Sequence, residues 1–266
     1  MKLIQRHGYI EFLRRNRERS IIKVVSGIRR CGKSTLFRLF KDELLAEGVK
    51  PEQIISINFE ELEYEPLREY HALYQYILNQ MQPNQMNYIF LDEIQHVDQF
   101  HRVVDSLFVK ENTDIYITGS NAYFMSSDIA TLLTGRYVEI QMLPLSFAEF
   151  YFSKYEEQQY SLIPAYEAYL RESSFPYTQQ LGGEDFDIQE YLRGLFNTLL
   201  LHDVVARLKI NDVMILQDIV RYIMANVGSL LSPNKIAKSL VSAGRKIDNK
   251  TVERYLPVSY THLTLP

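Results

Sequence analysis

The chain has 266 residues, with 29 Lys and Arg against 33 Asp and Glu, a formal net charge of −4, and 46% apolar and 23% charged residues. That composition belongs to a globular protein and excludes a disordered or collagen-like one, and a prior of ~150 residues per domain predicts about two domains. Cys31 is the only cysteine, which excludes an internal disulfide. No apolar run approaches the ~18 residues that span a bilayer and no signal peptide is legible, so a cytoplasmic location is expected. Charge is unevenly spread. Residues 1–50 hold 13 basic and 5 acidic side chains, residues 51–204 hold 7 and 24, and residues 205–266 hold 9 and 4. Both ends suit polyanions; the middle repels them.

In chain order, residues 8–19 read as a helix, with Tyr9, Phe12 and Leu13 at helical spacing. Residues 21–25 are short and β-branched, the pattern of a buried strand. Residues 33–47 carry Leu36, Leu39, Phe40 and Leu44 on one helical face, and Gly48 stands where that helix ends. Strands are predicted at 54–59, 88–91, 114–118 and near 136–141, with helices at 66–81 and 97–109. Strands alternating with helix-length segments imply a parallel sheet covered on both faces. Beyond Pro144 the chain turns Tyr- and Leu-rich and mostly helical to residue 210. Three helices follow, at 212–226, 233–242 and 248–256, the second opened by Ser232 as N-cap and Pro233 at the first position.

Two segments carry chemistry. Gly27-Ile28-Arg29-Arg30-Cys31-Gly32-Lys33-Ser34 fits the phosphate-binding pattern G-x-x-x-x-G-K-[ST], between a strand and an amphipathic helix. Glycines let backbone N–H groups curl around phosphate oxygens, and the helix N-terminus adds positive charge. Lys33 is placed to reach the β- and γ-phosphates of a nucleotide and the Ser34 hydroxyl to ligate Mg²⁺. Cys31 lies between Arg30 and Lys33 just before a helix, a setting that favours its thiolate. Its alkylation is therefore expected to block ATP binding. The second segment, Tyr88-Ile89-Phe90-Leu91-Asp92-Glu93, ends a strand in two acids. In a parallel sheet the strand C-termini meet where ligands bind, so Asp92 is expected near the Mg²⁺ and Glu93 beside the attacking water. Ser120 and Asn121 end the next strand, where a polar group touches the γ-phosphate or caps a turn. Arg136 either supplies positive charge to the transition state or pairs with an acid on its own sheet. His96 and His101 are five apart, off the spacing of two ligands on one helix face.

The segments GIRRCGKS, YIFLDEIQ, ITGSNA and LTGRYVEIQMLPLSFAEF, in this order, resemble the bacterial and archaeal AAA-like ATP-binding proteins. These are P-loop ATPases related to the signal-transduction ATPases with numerous domains, normally followed by a C-terminal nuclease-like domain of unknown function. The resemblance implies an α/β fold, a P-loop NTPase parallel sheet flanked by helices, followed by a helical region and a partial winged helix. It divides the chain into an ATPase core (1–145), a helical lid region (146–210), a truncated winged-helix-like region (211–256) and a tail. By position Lys33, Ser34, Asp92 and Glu93 carry over as Walker-type residues. Ser120 or Asn121 carries over as a sensor, and Arg136 as a catalytic arginine. The cofactors implied are ATP and Mg²⁺, with Gly27, Ile28, Arg29, Arg30, Cys31, Gly32, Lys33, Ser34 and Thr35 cradling the nucleotide.

The expected activity is Mg²⁺-dependent ATP hydrolysis acting as a conformational switch. Its rival is a nucleic-acid- or partner-binding regulatory module that binds ATP and barely hydrolyses it. Residues 233–254, with Lys235, Lys238, Arg245, Lys246, Lys250 and Arg254, look like the second and third helices of a winged helix and are the candidate surface for duplex DNA or a protein partner. A wing needs a β-hairpin after the recognition helix, and residues 257–266 hold at most one strand of it. VSYTHLTLP also resembles translated adapter read-through, so this tail is expected to be non-native.

Overall fold

The computed structural model describes residues 4–119, 133, 135–155, 160–181, 185–198 and 212–263. Helix α1 (His7–Asn16) leads into strand β1 (Ile22–Gly27), helix α2 (Lys33–Ala46) and β2 (Ile54–Asn58). Then come α3 (Tyr70–Gln80), β3 (Asn87–Asp92), α4 (Phe100–Phe108), β4 (Thr113–Gly119) and β5 (Tyr137–Met142). The chain continues as α5 (Phe147–Tyr155), α6 (Leu162–Glu172), α7 (Asp185–Thr198), α8 (Val213–Ala225), α9 (Pro233–Ser242) and α10 (Asn249–Leu263). It divides into two compact units, Met1–Ile188 and Gln189–Pro266. The division falls within α7.

The first unit holds a five-stranded sheet in the order β2-β3-β4-β1-β5, and every pairing is parallel. β1 and β3 are buried along their whole length, and β4 from its second residue on. Alternate side chains therefore serve different layers. Val24, Ile89, Leu91, Ile115 and Ile117 pack with Leu73, Ile77, Val103 and Leu107 of α3 and α4. Val25, Tyr88, Phe90 and Tyr116 pack with Leu13 of α1 and Leu36, Phe37 and Phe40 of α2. The predicted helix over 66–81 starts later than expected. Pro66 lies in a 3-10 stretch (Leu62–Arg68), and Glu69 caps α3 by accepting from the N–H groups of His71 and Ala72 at 3.0 and 2.8 Å. The helix expected from Val97 likewise begins at Phe100, after a 3-10 turn over Ile94–His96.

Sealing a sheet on both faces leaves any polar side chain inside it dependent on a partner. Lys23 of β1 and Asp114 of β4 are fully buried and form an ion pair. Lys23 Nζ also donates to the Arg19 carbonyl at 3.0 Å. Asp114 accepts from the Tyr116 hydroxyl at 2.6 Å and the Glu18 N–H at 2.8 Å. Burial pulls the Lys23 ammonium below its ordinary pKa, against the pull of Asp114.

In the second unit, Leu216, Ile219 and Val220 of α8, Ile236 and Leu240 of α9 and Val252 and Tyr255 of α10 form one core. Ser232 caps α9 as predicted, accepting from the Lys235 N–H at 3.2 Å. α10 continues past Leu256 to Leu263, and among the described residues of this unit there is no strand. None of the described helices is long and apolar enough to cross a membrane.

Removing one member of a buried ion pair strands the other, so Asp114→Ala is expected to lower stability by about 3–5 kcal/mol. Lys23→Met is expected to lower it less, because Asp114 keeps two neutral donors. Urea unfolding of the two variants tests this ranking.

Candidate nucleotide-binding site

The site is built on the C-terminal ends of β1, β3 and β4. The loop after β1 turns on two glycines. Gly27 has φ +148°, and a Cβ there would lie 2.2 Å from the Met142 carbonyl oxygen, which is the close approach of its β5 partner. Gly32, with φ +107°, is the N-cap of α2, and its carbonyl accepts the first helical bond from Leu36 N–H at 2.9 Å. Arg30 also takes a positive φ, +68°. Lys33 opens α2 and is only 4% exposed. Its ammonium donates to the carbonyls of Gly27 and Ile28 at 3.1 and 3.2 Å and lies 3.5 Å from Glu93 Oε1. Ser34 is exposed and Thr35 half-buried on the same first turn.

β4 runs between β1 and β3, so the loop and the two acids stand two strand spacings apart, about 10 Å. Lys33 crosses this gap to Glu93, and the acids themselves are tied to β4 by Thr118, fully buried near the end of that strand. Its hydroxyl donates to Asp92 Oδ1 and accepts the Glu93 N–H at 2.9 Å. The latter bond holds Glu93 in the left-handed region, φ 56° and ψ 45°, a conformation costly for a non-glycine residue and characteristic of functional sites. The Gln95 amide donates to the Glu93 carboxylate. Burial raises the Asp92 carboxyl above its usual range; hydrogen bonds from Ser34 and Thr118 oppose that and the Glu93 charge adds to it. Loop, Lys33, Ser34, Asp92 and Glu93 are thus brought together. Ser120 and Asn121 lie outside the described residues.

Two expectations are corrected. Arg136 does not join this group. It precedes β5, and in a parallel sheet a residue before a strand sits at the edge opposite to residues that follow strands. The six residues of β5 put it about 20 Å from the loop. It pairs there with Asp105 of α4 at 2.7 Å and lies over the Phe108 ring. Cys31 is fully buried in the layer formed with Leu36, Phe37 and Met142. Burial pushes its thiol up in pKa, against the pull of Lys33 and Arg6, so the thiolate is disfavoured.

Arg6 is the contributor that local pattern did not reveal. It lies just before α1 and is 4% exposed. It donates to the carbonyls of Cys31 at 3.2 Å, Leu143 at 2.6 Å and Pro144 at 3.2 Å, and through Nε and Nη2 to both oxygens of Glu149 at 2.8 and 2.9 Å. Glu149 closes a capping box on α5: it accepts the Ser146 N–H at 2.8 Å, and Ser146 Oγ accepts the Glu149 N–H at 3.2 Å. Burial alone would raise the Glu149 carboxyl; Arg6 and the Ser146 N–H overcome that and hold it below its usual value.

A family model described as an AAA domain matches residues 19–151, half of the chain, and the chain belongs to this family of P-loop ATPases. A second model, for a domain of unknown function, matches residues 163–258. An uncharacterized protein of Haemophilus influenzae is 37% identical over 257 residues, 96% of this chain and 64% of its own length. An uncharacterized protein of Methanocaldococcus jannaschii is 33% identical over 254 residues, 88% of this chain and 53% of its own length. The chain therefore spans less than two thirds of either relative. Among solved structures, the Walker-type ATPase of Pyrococcus abyssi shares the fold, with a TM-score of 0.62 over 97% of this chain and 89% of that one at 17% identity.

The buried thiol is expected to react with iodoacetamide at least about tenfold more slowly in the folded protein than after unfolding in guanidinium, with or without MgATP. Rapid alkylation of the folded protein that MgATP suppresses would return Cys31 to the nucleotide face.

Proposed function

We propose that the chain binds MgATP at residues 27–35 and hydrolyses it, the nucleotide state acting as a conformational switch. The observation that carries this reading is the buried Lys33 ammonium, held between its own loop carbonyls and the Glu93 carboxylate. An ammonium beside a glycine loop and a helix N-terminus is matched to phosphate oxygens. The Ser34 hydroxyl and the Asp92 carboxylate, near enough for Ser34 to hold the Asp92 pKa down against burial, are hard oxygen donors that fit Mg²⁺. Among the described residues no cluster of three His, Cys, Asp or Glu forms a metal site by itself, in keeping with an ion that completes its shell with phosphate and water. When bound, Mg²⁺ supplies charge neutralisation at the β- and γ-phosphates.

The protein's own groups divide the remaining work. The loop N–H groups and Lys33 bind and orient the triphosphate. Thr118 holds Asp92 and the Glu93 backbone at a fixed separation. Glu93 orients the attacking water and accepts its proton as the γ-phosphate oxygen bond to the leaving diphosphate breaks. Lys33→Ala is expected to abolish hydrolysis and weaken nucleotide binding at least about tenfold. Glu93→Gln is expected to bind within about threefold of wild type while turnover falls about 10²–10⁴-fold. Phosphate release and titration with a fluorescent ADP analogue measure both. Wild-type turnover in Lys33→Ala would refute the site, and loss of binding in Glu93→Gln would make Glu93 a binding residue.

A second reading concerns the other unit. Lys235, Lys238, Lys246, Lys250 and Arg254 are all exposed on or between α9 and α10, whereas Arg245 is paired with Asp218 at 2.6 Å. Such a set suits the phosphates of duplex DNA, and α10 stands where a recognition helix would. Binding is expected to be weak and steeply salt-dependent. Reversing Lys246 and Lys250 to Glu is expected to reduce the slope of log affinity against log salt by about 2. Absence of binding at low salt would assign the surface to a protein partner.

A further inference from the structure

We propose that Arg6 is a positioning residue of the nucleotide loop: by holding the Cys31 carbonyl it fixes the direction in which the Gly32 N–H is offered to phosphate. This rests on the reading of residues 27–35 as a nucleotide site. A trans peptide unit is planar, with its C=O and N–H on opposite sides, and the described chain contains no cis peptide. The Arg6 guanidinium takes the Cys31 oxygen at 3.2 Å, so the N–H of the same unit, that of Gly32, is directed away from Arg6. Among the described residues Arg6 is the side chain that donates to this carbonyl. Gly32 is a glycine at φ +107° and tolerates either sign of φ, so on its own side it leaves the 31–32 peptide free to turn. On its far side Gly32 is committed to α2 through the Leu36 bond. The 31–32 unit is therefore the hinge of the loop, and Arg6 is the latch on it.

The latch is rigid because the guanidinium has no freedom of its own. Both Glu149 oxygens take its Nε and Nη2, and Leu143 and Pro144 take further donor capacity. A planar fork with fixed donors suits this task in a way an ammonium does not. Arg6 does not touch the nucleotide. It acts through the backbone, so its loss should raise the free-energy cost of forming the binding-competent loop and leave the chemical step alone once phosphate has captured the Gly32 N–H.

The test compares the full chain as wild type, Lys33→Ala, Arg6→Ala, Arg6→Lys and Glu149→Gln. For each, the nucleotide-free melting temperature and the KM and kcat for MgATP are measured. Arg6→Ala is expected to raise KM about tenfold or more with kcat within about threefold of wild type. Arg6→Lys, which can still reach one carbonyl, is expected to recover part of that KM. Glu149→Gln removes one of the two carboxylate acceptors but leaves the bonds of Arg6 to Cys31, Leu143 and Pro144, so it is expected to lower the melting temperature while KM rises clearly less than in Arg6→Ala. A folded Arg6→Ala protein with wild-type KM overturns the proposal, as does a KM that rises equally in Arg6→Ala and Glu149→Gln. If Arg6→Ala does not fold, Arg6→Lys carries the comparison, and a wild-type KM there overturns it. A wild-type chain that neither binds nor hydrolyses MgATP, or whose turnover and affinity for the fluorescent ADP analogue are unchanged by Lys33→Ala, refutes the nucleotide site itself and is told apart from failure of Arg6 by that control.

Discussion

The sheet is sealed on both faces along β1, β3 and β4, and this constraint decides where polar groups stand. Water cannot satisfy a donor or acceptor in those strands, so each must meet another polar side chain or a backbone group. At one end of the sheet Lys23 and Asp114 meet that demand and tie β1 to β4. At the other end Thr118 meets it by bonding Asp92 and the Glu93 N–H, tying β4 to β3. The first arrangement is closed and inert. The second is open at its margin, because Ser34, near the same carboxylate on the first turn of α2, is exposed.

The order of the strands converts these local solutions into a site. Because β4 lies between β1 and β3, the loop and the acids face each other across one strand end instead of crowding side by side. Lys33 spans that space to Glu93. Burial works against the charged form of Asp92, and the Lys33 ammonium is turned back upon its own loop carbonyls. The fold thus gathers electrostatic tension at the ends of β1, β3 and β4, where perturbed groups mark a candidate functional site.

What sequence alone made legible follows the range of the physics involved. The glycine loop and the Asp-Glu pair are local, set by a strand that ends and a helix that begins, and their spacing reads directly. The capping role of Ser232 is equally local. Thr118 was hidden because its partners are defined by strand order, which no periodicity encodes; only its place near the end of a buried strand hinted at it. For Arg136 the residue pattern leaves two roles open, and strand direction decides between them: it precedes a parallel strand, such residues sit opposite the site, and it pairs with an acid there. Cys31 was misread because neighbouring charges and a helix start argue for a thiolate, whereas the packing of Leu36, Phe37 and Met142 around it argues against one, and burial outweighs the neighbours. Pro66 and the Glu69 cap moved the start of α3 where apolar spacing ran on past it.

Arg6 and Glu149 are separated by 143 positions along the chain. A contact of that span closes a long loop of polypeptide, and its entropy cost is met only after the shorter-range elements exist. The β1–loop–α2 unit is complete by residue 46, yet the peptide between Cys31 and Gly32 acquires its anchor only when α5 has begun. On a ribosome, the first sixth or so of the chain emerges with the loop drawn but unfastened, and the fastening waits for about a hundred further residues. Competence of the site is therefore a late event in the folding of the first unit, although its signature lies among the earliest residues made.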